Sequence, residues 1–295
     1  SCARSIISAA KQNSTHHCRW PMGLMSPFTS AGHILGAASI AVDFGVAGGH
    51  RRRIVFSGDI GPRHAEFLLD PVPPPDADYV VMETTYGDRR HRDFKASVGE
   101  LYDAINETFA RGGNVIIPTF ALERTQDVLY QLREGVEQGA LPRHLNVFLD
   151  SPMAISATEV FGRHPECFKP DVAHRLGHGF DPFFLPNLHF VREAAGSMAL
   201  NNVDSGAVIM AGSGMCNGGR VRHHLKHNLW RRQSSIVFVG FAARGTPRRK
   251  IVDGAKSLQL FGQNVQVNAA IHTINGFSAH ADQADLLAWH KGCGK

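Results

Sequence analysis

Apolar and polar positions change their period along this chain, and the changes mark its elements. From Phe28 to Gly87, short β-rich runs end in polar residues. Ile54-Val-Phe56 stops at Ser57-Gly-Asp59, and Tyr79-Val-Val-Met82 stops at Glu83. Between them Pro71-Val-Pro-Pro-Pro75 forces an extended loop, because proline fixes φ and lacks an amide donor. Beyond Gly87 helix and strand periods alternate. Val98, Leu101, Ile105 and Phe109 line one helix face, Gly112-Gly113 ends it, and Asn114-Val-Ile-Ile117 reads as a strand. Val128, Leu129, Leu132 and Val136 mark the next helix, and Leu145-Asn-Val-Phe-Leu149 the next strand. Ala207-Val-Ile-Met210, a glycine turn and a helix through His223 and Leu225 form another unit, and Ser235-Ile-Val-Phe-Val239 follows. This rhythm predicts an α/β fold with a largely parallel sheet, in which ligands sit beyond the carboxyl ends of the strands. Residues 1–27 show no clear period, and no internal repeat is visible.

Composition narrows the class. The 295 residues are 43% hydrophobic and 19% charged, which predicts a folded protein of one large or two medium domains. The net charge of +5 favours a polyanionic partner only weakly, but basic residues cluster at Arg51–Arg53, Arg89–Arg92, Arg220–His224, Arg231-Arg232 and Arg244–Lys250. For any single cluster a solvated face is the better reading. Five scattered cysteines with no Cys-x-x-Cys pair argue against a disulfide framework or structural zinc knot and for a reducing, cytoplasmic setting. No apolar run has the length of a membrane helix, and the start lacks a signal-peptide core and an initiator Met.

The strand ends carry reactive groups. His33 lies in Ala31-Gly-His-Ile-Leu-Gly36 and Asp59 in a Ser-Gly-Asp turn. Each alone is more often a turn residue than a ligand. A neutral histidine is nevertheless a good nitrogen ligand, and an aspartate can bridge two ions that share and deprotonate one water. Glu83 reads either as a turn cap or as an acid that orients a ligand. His280, in Phe277-Ser-Ala-His-Ala-Asp282, is placed at a helix start with Ser278 as N-cap, where the dipole favours the neutral ring. To act as a general acid it needs a carboxylate neighbour, a part Glu83 can fill. Gly212-Ser213-Gly214, with Gly218-Gly-Arg220 opening a helix, has the form of an anion cradle, but no Gly-Lys-Ser/Thr follows as in a Walker loop. Arg124, at a second strand–helix junction, either reaches a phosphate or pairs with Glu123 or Asp127. Together the set points to metal-assisted hydrolysis of a phosphate ester.

Taken in order and spacing, the segments resemble the β-CASP branch of the metallo-β-lactamase fold, which comprises RNA-processing nucleases. Gly32-His33-Ile-Leu-Gly36 is similar to the third metal motif and Phe56-Ser-Gly-Asp59 to the fourth. Glu83-Thr-Thr-Tyr-Gly87 is similar to β-CASP motif A, and Phe277-Ser-Ala-His280 to motif B. The resemblance implies a partial αββα sandwich over residues 1–87, an inserted α/β β-CASP domain over 88–276 that clamps over the metal site, and a return segment over 277–295. It implies a zinc-dependent phosphodiester hydrolase acting on RNA with two zinc ions, no membrane association, and a homodimer as the assembly. Asp59 would bridge the metals and His33 would ligate one. His280 with Glu83 would protonate the leaving 3′-oxygen, and Arg124, Ser213, Gly214 and Arg220 would hold phosphates. A DNA nuclease of the same superfamily and a non-catalytic RNA- or protein-binding subunit are the alternatives. No stretch matches the family's His-x-His-x-Asp-His motif, and the chain stops before the position of its last histidine, motif C. The expectation is therefore a piece truncated at both ends, inactive and without stoichiometric zinc by itself.

Overall fold

The computed structural model describes residues 16–19, 25–45, 49–63 and 65–294. Most of the first 27 positions, where no period was legible, lie outside these residues. The chain separates into two compact units. The first comprises Ser1–His91, Arg163–Phe180 and Ala279–Lys295, and the second Arg92–Gly162 and Asp181–Ser278.

The first unit is built on a five-stranded sheet in the order β1 (His16–Arg19), β2 (Met25–Ser30), β3 (Ala38–Gly45), β4 (Arg51–Phe56) and β5 (Tyr79–Val81). Neighbours are antiparallel except β4 and β5, which run parallel. Strand alternation sends Ala41 and Val55 to one face. There they pack with Ile60 and with Leu286, Trp289 and Cys293, the last three on or just beyond the C-terminal helix (Gln283–Gly292). That helix begins at Asp282, whose carboxylate accepts from the Ala284 and Asp285 amides. The N-cap is thus Asp282 rather than Ser278, and His280 precedes the helix instead of lying in its first turn. The dipole argument for His280 does not apply.

The second unit holds a six-stranded, all-parallel sheet. Its order is β13 (Ala270–Ile274), β10 (Ser235–Val239), β6 (Val115–Pro118), β9 (Ala207–Ala211), β7 (Asn146–Leu149), β8 (Leu188–Phe190). The central strands β6, β9 and β10 are buried along their whole length, as strands covered on both faces must be. One face packs Ile116, Ile209, Ile236 and Phe238 against Val221 and Leu225 of the helix Val221–Asn228 and against Leu258, Leu260 and Val265 of the hairpin β11 (Ser257–Leu260) and β12 (Gln263–Gln266). Each such side chain, fully buried, contributes about 1.5–3 kcal/mol. The helix Phe94–Ala110 is capped by Asp93, which accepts from the Ala96 amide, and the helix Arg124–Glu137 follows β6.

The unit boundaries fall at 91/92 and 278/279, where the sequence placed them at 87/88 and 276/277. More substantially, residues 163–180 belong with the first unit. Leu68 and Phe168 form an antiparallel bridge, the Lys169 amide donates to Phe67 O at 2.8 Å, and the Phe67 and Phe168 rings meet edge to face. This stretch carries a 3-10 turn, Pro165–Cys167, and a short helix, Pro170–Gly177, with a single buried residue, so it showed no period of its own. No helix among the described residues is long and apolar enough to cross a membrane.

Candidate metal centre and acid–base couple

Two loops of the first unit are fixed to each other by backbone contact. The Gly61 amide donates to Ala31 O at 2.8 Å. A Cβ built on Gly61 would lie 1.8 Å from Gly32 O, and one built on Gly32, where φ is +65°, would lie 2.8 Å from Pro71. Only glycine permits this approach. It holds the loop bearing His33 beside the loop bearing Asp59.

His33 is nearly buried, and its Nδ1 lies 2.7 Å from Ala279 O. A carbonyl only accepts, so Nδ1 carries the proton and Nε2 presents its lone pair. Nε2 faces Asp59 Oδ2 at 3.8 Å. Burial lowers the His33 pKa below its ordinary value, with His280 acting in the same direction against the Ala279 hydrogen bond. The neutral, metal-binding ring is thereby favoured. Asp59 is 61% exposed and projects into the open.

Glu83 is buried, with a side chain 8% exposed. The Ile60 amide donates to its Oε1, and His280 Nδ1 lies 3.1 Å from its Oε2. Burial resists ionisation, yet the hydrogen bonds from His280, Thr85 and Ile60 outweigh it and hold the Glu83 pKa below its usual value. An ionised Glu83 keeps the proton of His280 on Nδ1 and leaves Nε2 on the opposite edge of the ring. The His280 ring lies 4.4 Å from that of His33. His33, Asp59 and His280 can each offer one ligand atom, and these atoms all lie within 4.8 Å of one another. Tetrahedral ligands at about 2.0–2.2 Å from zinc stand roughly 3.3–3.6 Å apart, so the set fits zinc with a small contraction. The Ala279 carbonyl orients His33 in the manner usual for metal-binding imidazoles. The sequence offered His33 and Asp59 as direct ligands; His280 stands within the same reach, so its Nε2 serves either as a further donor or, paired with Glu83, as an acid.

His91 was read only as part of a basic tract. Its Nε2 donates to His280 O at 2.8 Å, and its amide donates to Asp282 Oδ2 at 3.1 Å. It therefore fixes the backbone that carries His280. A histidine among arginines gave no sequence signal for this task.

The predicted phosphate ligands lie in the second unit, on loops at the carboxyl ends of β6 and β9. Arg124 is 8% exposed and pairs with Asp127 at 3.2 Å. Arg220 spends Nη1 on Asp150 Oδ1 at 2.7 Å and on Val191 O, and Nη2 on Arg192 O. The glycine turn uses many of its donors internally: Ser213 N to Gly218 O, Gly218 N to Ser213 Oγ, and Val221 N to Gly212 O. Gly214 lies under a ring, since a Cβ there would meet Phe120 at 2.9 Å. Asp150 is also bonded by Ser197 Oγ and His224 Nε2, both at 2.6 Å. Cys216, in the same turn, has its thiol pushed up to about 12 by burial, which removes it as a nucleophile.

The Beta-Casp domain model matches residues 125–251, and a model described as a Zn-dependent metallo-hydrolase RNA specificity domain matches residues 264–294. Over 265 residues the chain is 40% identical to "Ribonuclease TTHA0252" of Thermus thermophilus, covering 90% of this chain and 60% of that protein. It is 33% identical over 270 residues to "Transcription termination factor FttA" of Methanococcus maripaludis, covering 88% and 41%. It is 31% identical over 273 residues to an "RNase J-like protein" of Methanocaldococcus jannaschii, covering 90% and 60%. The chain thus spans between 41% and 60% of the length of these relatives. With its two domain matches, these relatives and its parallel α/β second unit, the chain belongs to the β-CASP family of the metallo-β-lactamase superfamily.

Proposed function

We propose that the protein is a zinc-dependent phosphodiester hydrolase acting on RNA, working in the cytoplasm. The observation that carries this reading is the Glu83–His280 couple set against His33 and Asp59. The relatives named as ribonucleases and the RNA specificity domain support the choice of RNA over DNA.

His33 Nε2 and an Asp59 oxygen would hold zinc, and Asp59 is the residue that two ions would share. When bound, the metal supplies Lewis-acid stabilisation of the phosphate and an acidified water. The chain's own groups then govern the proton. Glu83 remains ionised and holds the His280 ring by its Nδ1–H; from the imidazolium form, Nε2–H delivers its proton to the leaving 3′-oxygen as the P–O bond breaks, and the ring is left neutral. His91 and Asp282 hold the backbone on which that ring turns.

The test is to compare His280→Ala with Asp59→Asn for zinc by elemental analysis and for cleavage of labelled RNA. The acid assignment requires that His280→Ala keep its metal while losing cleavage, and that Asp59→Asn lose both. Loss of metal in His280→Ala would make that ring a ligand instead. Full cleavage by Asp59→Asn would remove the metal assignment altogether.

A further inference from the structure

The loops at the carboxyl ends of the second unit's strands present more aromatic surface than anion-binding groups. β6 lies between β10 and β9 in the sheet, so their three loops leave side by side. After β6, Phe120 is 46% and Leu122 49% exposed, and after β10, Phe241 is 58% exposed. Large apolar side chains concentrated at the strand ends of a parallel sheet sit where such sheets bind ligands. The Phe120 ring rests directly on the backbone of Gly214, a close approach that any side chain at 214 would prevent. Below the rings lies Arg248, 1% exposed. Its guanidinium donates to Gly214 O, Val239 O and Gly240 O and lies 5.2 Å from the centre of the Phe238 ring. A buried cation thus ties the β9 loop to the β10 loop beneath the exposed rings. The polar groups that would compete for a phosphate are engaged elsewhere: Arg124 on Asp127, Arg220 on Asp150, the turn amides on the turn itself. Arg244, on the same loop as Phe241, is exposed and gives that loop a positive charge.

We propose that Phe120 and Phe241 form a stacking platform for unpaired bases of single-stranded RNA, with Arg244 contacting the adjoining backbone phosphate. This rests on the RNA reading above and deepens it. The chemistry selects the occupant. Planar bases stack on exposed phenyl rings with little regard to sequence, whereas paired bases present no free face. An acidic peptide would use Arg244 but has no need of two rings.

The experiment uses an unstructured labelled oligoribonucleotide and the same strand carrying 2-aminopurine, whose fluorescence falls when the base stacks. Binding to the wild-type protein should quench the probe. Phe120→Ala and Phe241→Ala should each weaken binding by about 5- to 150-fold and relieve the quench, the span expected for one stacked base. Phe120→Tyr, which keeps the ring, should retain both. The slope of log affinity against log salt should not change in the Ala variants, and Arg244→Ala should reduce it by about one phosphate contact. If wild type binds no RNA even at low salt, the RNA reading fails and the platform with it. If wild type binds but shows no quench, or the Ala variants bind unchanged, the platform is wrong while the RNA reading stands. Thermal melts of the Ala variants separate lost stacking from lost fold, and the wild-type quench needs no variant.

Discussion

Of the carboxylate–histidine couples among the described residues, one in each unit makes an instructive pair, because their settings differ. Asp150 and His224 are 0% and 1% exposed in their side chains and meet at 2.6 Å. Glu83 and His280 are 8% and 29% exposed and meet at 3.1 Å. Asp150 receives three side-chain partners, His224, Ser197 and Arg220. The second nitrogen of His224, Nδ1, is buried with no hydrogen-bond partner, so that ring can exchange a proton with nothing outside the protein. The Glu83–His280 couple uses one ring nitrogen for orientation and keeps the other within reach of His33 and Asp59. The same pair of functional groups is therefore built as a closed structural tie in one place and, in the function proposed above, as an acid–base couple in the other. The difference lies in which second nitrogen has somewhere to send its proton.

The comparison breaks most sharply under substitution. Replacing His280 by Ala, or Glu83 by Gln, should lower the cleavage rate by about 10²–10⁴-fold, the usual worth of a positioned acid, while the melting temperature moves little. A large fall in melting temperature with the rate per folded molecule intact would make this couple structural too. Asp150→Ala should do the reverse. Removing one member of a buried, hydrogen-bonded pair costs about 3–5 kcal/mol, read as a shift of the denaturation midpoint, with cleavage per folded molecule unchanged.

A pH series sharpens the same contrast. Burial opposes ionisation of Asp150, but the hydrogen bonds from His224, Ser197 and Arg220 prevail and hold its pKa below the ordinary value. A carboxylate depressed on folding contributes its full stability above the unfolded pKa, about 3.9, and loses it as pH falls toward the folded value. The stability advantage of wild type over Asp150→Asn should therefore be constant near neutrality and narrow below about pH 5. A constant gap down to pH 3 would mean that ionisation of Asp150 contributes nothing. The smallest effect expected is that of Arg220→Ala on RNA binding. With its guanidinium committed to Asp150, Val191 and Arg192, the variant should leave the salt slope unchanged. A slope reduced by one would restore Arg220 as a phosphate ligand.

These expectations divide along what the sequence made legible. The strand ends bearing His33, Asp59 and Glu83 were readable because a β run that stops at a polar residue next to glycine leaves a clear mark. The parallel sheet was readable from alternating periods, and all its central strands lie where predicted, within a residue or so. The Asp150 cluster was not readable, since Asp150, Ser197 and the helix start carrying Arg220 and His224 come from three separate segments. Arg220 shows the difficulty directly: a glycine-rich turn followed by arginine looks the same whether the guanidinium faces a ligand or a buried carboxylate. The return of residues 163–180 to the first unit depends on one bridge and two backbone hydrogen bonds, at Leu68, Lys169 and Leu69, which leave no imprint on side-chain pattern.

The backbone contact at Gly32 and Gly61 has a consequence for how this centre can vary. Because main chain meets main chain there, the span between positions 33 and 59 is a property of the loops and not of the residues chosen at those positions. Exchanging His33 or Asp59 for other donors would alter hardness and charge at a constant span. A side chain introduced at 61 would alter the span while both donors stayed the same. With zinc held as proposed, affinity and metal preference would therefore answer to two separate controls, one chemical and one steric. A designer seeking a different metal should leave position 61 alone and work on 33 and 59.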